Sequence, residues 1–259
     1  MNTLIQLGPL DLALACALVV GAIALSRLAR LGLEGRFAIA SARSIGQLLA
    51  AGYLLSFIFA LESPWAVLLA LGVMLTIAAL VARNRISKKL ENLLSWVWGS
   101  LFVSTAITLS YVVFLIVRPP VWYDPQYLIP LAGMIIGNAM DTATIAGERL
   151  VSTIRNSPLE IETHLSLGAT PHQAVSRYYQ ESIRAGLIPL LNRMTVVGMV
   201  TLPGMLTGQV LSGTEPLEAA LYQILILLAI AFANVVAVLL VTRGIVRQCF
   251  NQNAQFLLM

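Results

Sequence analysis

The chain has 259 residues, of which 58% are hydrophobic and 11% are charged, and its formal net charge is +4. A mean hydropathy of +0.85 means that the chain has more apolar residues than the core of a soluble protein can bury. The charged residues are also too few to cover a mostly water-facing surface. The composition predicts an all-α, polytopic membrane protein with one transmembrane domain over residues 1–259. Nucleic acid is not an expected partner, because no soluble basic face is visible.

The apolar stretches predict about seven transmembrane helices, since roughly 20 apolar residues cross about 30 Å of hydrocarbon. In chain order they lie near residues 10–26, 36–60, 65–82, 94–117, 127–148, 187–211 and 217–242. The first span is the shortest and the sixth is the most interrupted. Six spans therefore remain an alternative.

The basic residues predict the orientation, because Lys and Arg concentrate in cytoplasmic loops. Most of them follow the odd-numbered spans, at Arg27, Arg30, Arg36, Arg83, Arg85, Lys88, Lys89, Arg149, Arg155, Arg177, Arg184, Arg243 and Arg247. The other side holds only Arg118. We expect a plasma (inner) membrane protein with its N-terminus outside, its C-terminus inside and the 149–185 loop in the cytoplasm.

Spans two and five carry polar residues at matching depths, counted at about 1.5 Å per residue from their cytoplasmic ends. Arg43 matches Asp141, and Gln47 matches Asn138. We predict that these spans pack together through an Arg43–Asp141 ion pair beneath a Gln47–Asn138 contact. Polar side chains are costly in lipid, so they either join helices or line a substrate pathway. Asn138 is the better candidate for the pathway.

The sequence of the 149–185 loop predicts two capped helices around a glycine corner. Ser157-Pro158-Leu159-Glu160 has the pattern of a capping box with proline at the first helical position. That helix should end near Leu167, where Gly168 can adopt a left-handed conformation. Thr170-Pro171-His172-Gln173 repeats the start signal. The second helix then places Ala174, Val175, Tyr178 and Ser182 on one stripe.

This helix pair has two interpretations. It could dock on a soluble protein, or it could lie on the membrane as an amphipathic hairpin. Glu160, Glu162 and His164 suit an anionic lipid surface poorly, which favours docking.

Glycine and methionine spacing singles out spans five and six. Gly133 and Gly137, like Gly204 and Gly208, have the spacing that lets helices approach closely. Pro203-Gly204 should interrupt span six, either as a gate or as a static kink. Thioether groups can contact soft metal ions, although methionine also fills gaps. The methionines concerned are Met134, Met140, Met194, Met199 and Met205, and the substrate-pathway candidates are Gln47, Met134, Asn138, Met140, Met199 and Met205.

The segment from Glu162 to Gly186 resembles the coupling loop of ABC-transporter permeases, whose pattern is E-A-A-x-x-L-G-A followed by a basic residue and glycine. Glu162, Leu167, Gly168, Ala169, Arg184 and Gly186 match, whereas Thr163 and His164 replace the two alanines and Gln180-Glu181 replace Leu-Pro. The resemblance implies that an ATPase contacts Glu162, Leu167, Gly168, Ala169, Thr170 and Pro171.

The whole chain resembles the FetB-like iron-export permeases and the related plant aluminium-sensitivity permeases. The similar blocks are residues 129–140, 165–174 and 197–208, and the chain departs from relatives at Asn192 and Thr195, where they tend to have Asp and Lys. The family implies an ABC-transporter permease that exports a metal ion, iron first, and that pairs with itself and with a separate ATP-binding subunit. Some plant relatives suggest a sugar-nucleotide substrate instead.

Other functions fit the sequence less well. The only lysines are Lys88 and Lys89, so a GxxxxGK[ST] phosphate loop is absent. His164 and His172 face no carboxylate pair, so we expect neither an enzyme nor a resident cofactor. An ion-coupled secondary transporter is the stronger alternative, with Asp141 and Glu148 as its only buried-carboxylate candidates. The cysteines, Cys16 and Cys249, should not form a disulfide.

Overall fold

The structure is a computed structural model that describes residues 8–61, 63–251 and 255–256. These residues form nine α-helices and one π-helical turn, with no strand beyond isolated bridges. The helices are α1 (Pro9–Leu28), α2 (Glu34–Leu61), α3 (Pro64–Ile86), α4 (Leu93–Tyr111), α5 (Pro125–Asn156), α6 (Pro158–Ser166), α7 (Pro171–Val196), α8 (Gly204–Leu211) and α9 (Pro216–Gln248), and the π-helical turn is Val112–Val117. The predicted all-α membrane protein is confirmed.

The chain divides into two compact units. The first contains residues 1–62 and 211–213, and its described part is mainly the hairpin of α1 and α2. A left-handed Arg30 and a left-handed Gly32 make the short turn between these helices. Apolar side chains of both helices are exposed almost all round, which is typical of helices that face lipid or another chain.

The second unit contains residues 63–210 and 214–259 and is built around α5. Helices α3, α7 and α9 pack against α5, and α4 packs on α9 and α3. The interior is mostly apolar, and its largest buried side chains include Leu101, Ile135, Leu150, Ile226 and Ile245, each no more than 2% exposed. Proline begins α5, and the Asp124 carboxylate accepts a 3.0 Å hydrogen bond from the Gln126 backbone N–H, so the helix starts where a capping residue precedes proline.

Six of the described helical segments are long and apolar enough to cross a membrane, beginning at Leu10, Glu34, Pro64, Leu93, Pro125 and Pro216. The predicted sixth span at 187–211 is not one helix, in agreement with the interruption expected there. Helix α7 ends at Val196, and the eight-residue α8 is too short to cross alone.

The interruption lies near the middle of the predicted span, as expected. It begins after Val196 and ends where α8 starts at Gly204, so Pro203 is its last residue. Gly198 has a positive φ of 84°, and Val197 forms an isolated bridge with Thr201. The left-handed Gly198 lies between the two bridge residues and turns the backbone out of the helix five residues before Pro203.

Candidate functional site

The two helices predicted after α5 are present and are joined by a glycine turn, but only α6 is short, because α7 has 26 residues and continues into the predicted sixth span. Helix α6 ends at Ser166, and Gly168 has a φ of +89°. The Gly168 N–H donates to the Leu165 carbonyl at 3.0 Å, and the Ala169 N–H donates to the His164 carbonyl at 3.0 Å. The last carbonyls of α6 are thus satisfied by a left-handed glycine, which ends the helix and reverses the chain.

The start of α7 is capped as its sequence predicts, whereas the start of α6 is not. The Thr170 N–H donates to Gln173 Oε1 at 2.9 Å, and the Gln173 N–H donates to Thr170 Oγ1 at 3.4 Å. This reciprocal pair satisfies two N–H groups at once. Ser157 occupies the N-cap of α6, but its side chain makes no capping hydrogen bond, so the capping box predicted there is wrong. Its backbone, at φ −128° and ψ 42°, is also outside the extended conformation of a normal cap.

One face of the pair is anchored in the protein interior. The predicted stripe of Ala174, Val175, Tyr178 and Ser182 is buried, and Ile161 from α6 is fully buried as well. Burial raises the pKa of Tyr178 above its ordinary value, and the neighbouring Glu160 carboxylate adds to that effect. The α6–turn–α7 segment is therefore a folded element fixed to the second unit.

The opposite face of the pair is open. Leu159 is 77% exposed and Leu167 is 80% exposed, although both are large apolar residues in a polar segment. Glu162, Thr163 and His164 are exposed beside them. An apolar tip surrounded by polar groups is typical of a protein–protein contact.

Charged residues continue along α7 from this tip. Arg177 Nε donates to Glu181 Oε1 at 3.0 Å, and this hydrogen bond raises the pKa of Arg177. The pair is largely exposed, so solvent screens it and it contributes little to stability. A shallow cavity beside it is lined by Glu148 and Arg149 of α5 and by Arg184 of α7.

Gly186 joins the helix pair to the membrane-spanning core. A Cβ built there would lie 2.8 Å from the Thr142 carbonyl oxygen and 2.9 Å from the Ala146 Cβ, so α7 and α5 touch through backbone. Sequence reasoning placed Gly186 in the coupling motif but missed this packing role. A displacement of α6 and α7 would therefore reach α5 directly.

A second feature missed by sequence reasoning is a buried polar contact between α5 and α9. Asn234 Nδ2 donates a 2.8 Å hydrogen bond to Thr142 Oγ1, and the two residues are 0% and 2% exposed. Among the described residues, Asn234 Oδ1 has no hydrogen-bond partner. The signal was available, because Asn234 is an amide deep within the apolar sequence of the last predicted span, whose other amide, Gln223, lies nearer its start.

The substrate-pathway candidates are only partly brought together. Asn138 is half-buried, and its Nδ2 donates to the Met134 carbonyl of its own helix at 2.8 Å. Met134 and Met140 are also half-buried on α5, whereas Met199 is 82% exposed. Met205 lies in α8 and lines a cavity with the start of α5. Their contact with substrate stays a prediction.

The predicted polar pairs between spans two and five stay predictions as well. Arg43 and Gln47 are exposed residues of the first unit. In the second unit, Asp141 Oδ1 lies 3.9 Å from Arg85 Nη1, and both side chains are more than half exposed. Arg85 was not among the partners that the sequence suggested for Asp141.

The predicted close packing at the glycine pairs also stays open. A Cβ at Gly137, Gly204 or Gly208 would meet no atom within 4 Å, and one at Gly133 would meet only the Met74 methyl at 3.0 Å. The close approaches inside the second unit occur instead at Gly186, Gly147 and Gly244; the last of these packs on the Trp96 ring.

Comparison with known proteins decides the family. The sequence matches UPF0014, described as an uncharacterised protein family, over residues 9–250. The chain belongs to the UPF0014 family. No solved structure matches it.

Similar proteins cover most or all of the chain. The UPF0014 membrane protein slr1647 of Synechocystis is 52% identical over 99% of both chains. The probable iron export permease protein FetB of Escherichia coli is 37% identical over 83% of this chain and 82% of its own length. The ALUMINUM SENSITIVE 3 protein of Arabidopsis thaliana is 35% identical over 85% of this chain and 79% of its own. The resemblance to FetB-like and plant aluminium-sensitivity permeases is thereby confirmed, and the chain is a multi-pass membrane protein.

Proposed function

We propose that this UPF0014 protein is the membrane-spanning permease subunit of an ABC transporter that exports a metal ion such as iron, energised by a separate ATPase. The observation that carries the proposal is the exposed α6–turn–α7 segment, which has an open apolar tip and a buried face. Glu162, Leu167, Gly168, Ala169, Thr170 and Pro171 form the ATPase contact. The name of the related FetB protein supports iron as the first cargo to test.

Force would pass from this contact to the spans through α7. Ile161, Val175 and Tyr178 anchor the helix pair, and Gly186 places α7 against the backbone of α5. Because packed helices move as rigid bodies, a push on the tip would tilt α7 and α5 together. Because residues 197–203 interrupt the helix, α7 could move without displacing α8 by the same amount.

The proposed assembly has two copies of this chain, each acting as one permease domain over residues 1–259, and two copies of the ATPase. It lies in the plasma (inner) membrane, with the N-terminus outside and the helix pair in the cytoplasm. Exposed apolar faces on α1 and α2 support contact with lipid or a second copy. A sugar nucleotide remains the alternative cargo. Ion-coupled secondary transport fits less well, because Asp141 and Glu148 are both exposed.

The experiment is reconstitution of the chain with ATP-binding-cassette subunits from the same genome in lipid vesicles. ATP hydrolysis and export would be measured with Fe(II), Mn(II), Cu(I) and a UDP-sugar. We expect one ATPase to bind and its hydrolysis to rise with a metal ion. Stimulation by the UDP-sugar alone would reject metal export, and the absence of binding to any such ATPase would reject the permease role.

Gly168 provides a matched pair of variants for this assay. Its φ of +89° is disfavoured for a β-branched residue but tolerated by Asn, and a Cβ there would meet no atom within 4 Å. Gly168→Val should keep the protein in the membrane but reduce metal-stimulated hydrolysis about tenfold, whereas Gly168→Asn should remain near wild type. Normal export by Gly168→Val would show that the turn does not couple the ATPase to transport.

A further inference from the structure

A cavity of about 230 Å³ lies at the beginning of α5, among the π-helical turn, α5, α8 and α9 of the second unit. Much of its lining is apolar and includes Val113, Leu128 and Ile226. The lining residues with possible ligand atoms are Asp124, Gln126, Tyr127, Met205, Gln209 and Tyr222. The cavity thus combines a carboxylate, two amides, two phenols and a thioether within an apolar surround.

The cavity lies at the opposite end of α5 from the helix pair. Helix α5 has 32 residues, and its C-terminal end leads directly into α6. At about 1.5 Å per residue the helix is about 48 Å long, which is more than the roughly 30 Å of bilayer hydrocarbon. If an ATPase binds the helix pair, the cavity must face the other side of the membrane.

The size of the cavity suits a hydrated ion. A volume of about 230 Å³ corresponds to the liquid volume of about eight waters, at roughly 30 Å³ each. A divalent cation that keeps an octahedral shell carries about six waters. The cation could therefore exchange part of its shell for oxygen ligands from the wall without losing all its water.

The single negative charge of the cavity suits a cation that is bound weakly and then released from the protein. Asp124 is the only ionised lining residue, and its Oδ1 accepts one hydrogen bond from the Gln126 backbone N–H, which leaves lone pairs for a ligand. The nearby Arg118 does not line the cavity, and its Nε donates to the Leu115 carbonyl. One carboxylate attracts a cation, but a tight divalent site uses several protein ligands.

We infer that this cavity is the outward-facing cargo vestibule, where a hydrated divalent cation is held by Asp124, the amides and Tyr222 before release. The inference rests on the proposed function and adds the place and the ligand class of the outer cargo site. Met205, a pathway candidate from the sequence, lines this vestibule and would favour softer ions such as Fe(II).

The test uses Mn²⁺ as a paramagnetic probe and Trp122, which lines the cavity, as the fluorescent reporter. The full-length protein is reconstituted in lipid nanodiscs and titrated with Mn²⁺. The quenched component is assigned to Trp122 by its loss in Trp122→Phe. Asp124→Asn removes the charge while keeping an equally good helix cap, so α5 should still fold. Glu215→Gln, at the N-cap of α9 and outside the cavity lining, is the matched control.

We expect Asp124→Asn to raise the half-saturating Mn²⁺ concentration about tenfold, as expected for the loss of one contact to a charged group, and Glu215→Gln to leave it unchanged. Equal quenching in wild type and Asp124→Asn, or no Trp122 quenching, would overturn the vestibule. Because this binding assay needs no ATPase, it decides the vestibule even if the transport assay fails. Conversely, ATP-driven export with unchanged Mn²⁺ binding in Asp124→Asn would leave the permease role standing and reject the vestibule.

Discussion

The side-chain amide of Asn234 donates a 2.8 Å hydrogen bond to the hydroxyl of Thr142, which joins α9 to α5 where both residues are buried. Thr142 also supplies the carbonyl oxygen that faces Gly186 of α7. One turn of α5 therefore meets both α7 and α9. This turn is where movement of the helix pair would enter the membrane-spanning core.

Loss of the Thr142 hydroxyl should destabilise the fold. Thr142→Val leaves the Asn234 amide buried without its partner, at a cost of about 1–2 kcal/mol. Thr142→Val combined with Asn234→Leu should be less destabilised than Thr142→Val alone, because both polar groups are then gone. Thermal unfolding in detergent measures this, with the exposed Thr195→Val as control. If the destabilisation of the double variant equals the sum of those of Thr142→Val and Asn234→Leu measured separately, the contact is contradicted.

The close approach of α7 and α5 predicts that Gly186 tolerates no side chain. A methyl group there would lie within 3 Å of the α5 backbone, so the helices must separate, at a cost of about 1–3 kcal/mol. Gly186→Ala should lower the unfolding temperature and reduce coupled ATP hydrolysis. Gly137→Ala is the control, because its Cβ would meet no atom within 4 Å. Equal stability of both variants would contradict the packing.

These residues show how far the sequence could predict the structure. The cap of α7 and the Gly168 turn are formed by residues no more than five positions apart, so both were predictable from the sequence. The Thr142–Asn234 contact joins residues 92 positions apart and depends on which faces of α5 and α9 meet. Glycine spacing pointed to Gly133 and Gly137 as packing positions, whereas the close approaches occur at other glycines. A spacing along one helix does not reveal which helix packs against it.

Cys249 should resist alkylation in the folded protein. Burial raises the pKa of this thiol to about 12, and its Sγ donates to the Ile245 carbonyl at 3.1 Å. Since the thiolate is the nucleophile and the folded-state pKa is raised, Cys249 stays protonated and unreactive from pH 7 to pH 9. Maleimide labelling of Cys16→Ser protein should be slow until denaturant is added. Rapid labelling at pH 7 without denaturant would contradict the buried position.

The partner of Asp141 can be settled by mutant cycles. Asp141→Asn would be combined with Arg43→Gln in one cycle and with Arg85→Gln in the other. The exposed Arg85 contact at 3.9 Å should give a coupling energy of no more than about 1 kcal/mol. The predicted Arg43–Asp141 pair requires a larger coupling with Arg43. A coupling energy of zero between Arg43 and Asp141, measured by unfolding of the reconstituted protein, would reject the predicted ion pair.

The most direct test of ATPase coupling is photo-crosslinking from the exposed tip of the helix pair. A photoreactive residue would replace Leu167, which is 80% exposed, and a matched one would replace Trp65, which is 78% exposed at the start of α3. Docking of an ATPase at this tip predicts a covalent adduct with an ATP-binding-cassette subunit from position 167 and none from position 65. No ATPase adduct from position 167, or equal adducts from both positions, would contradict it.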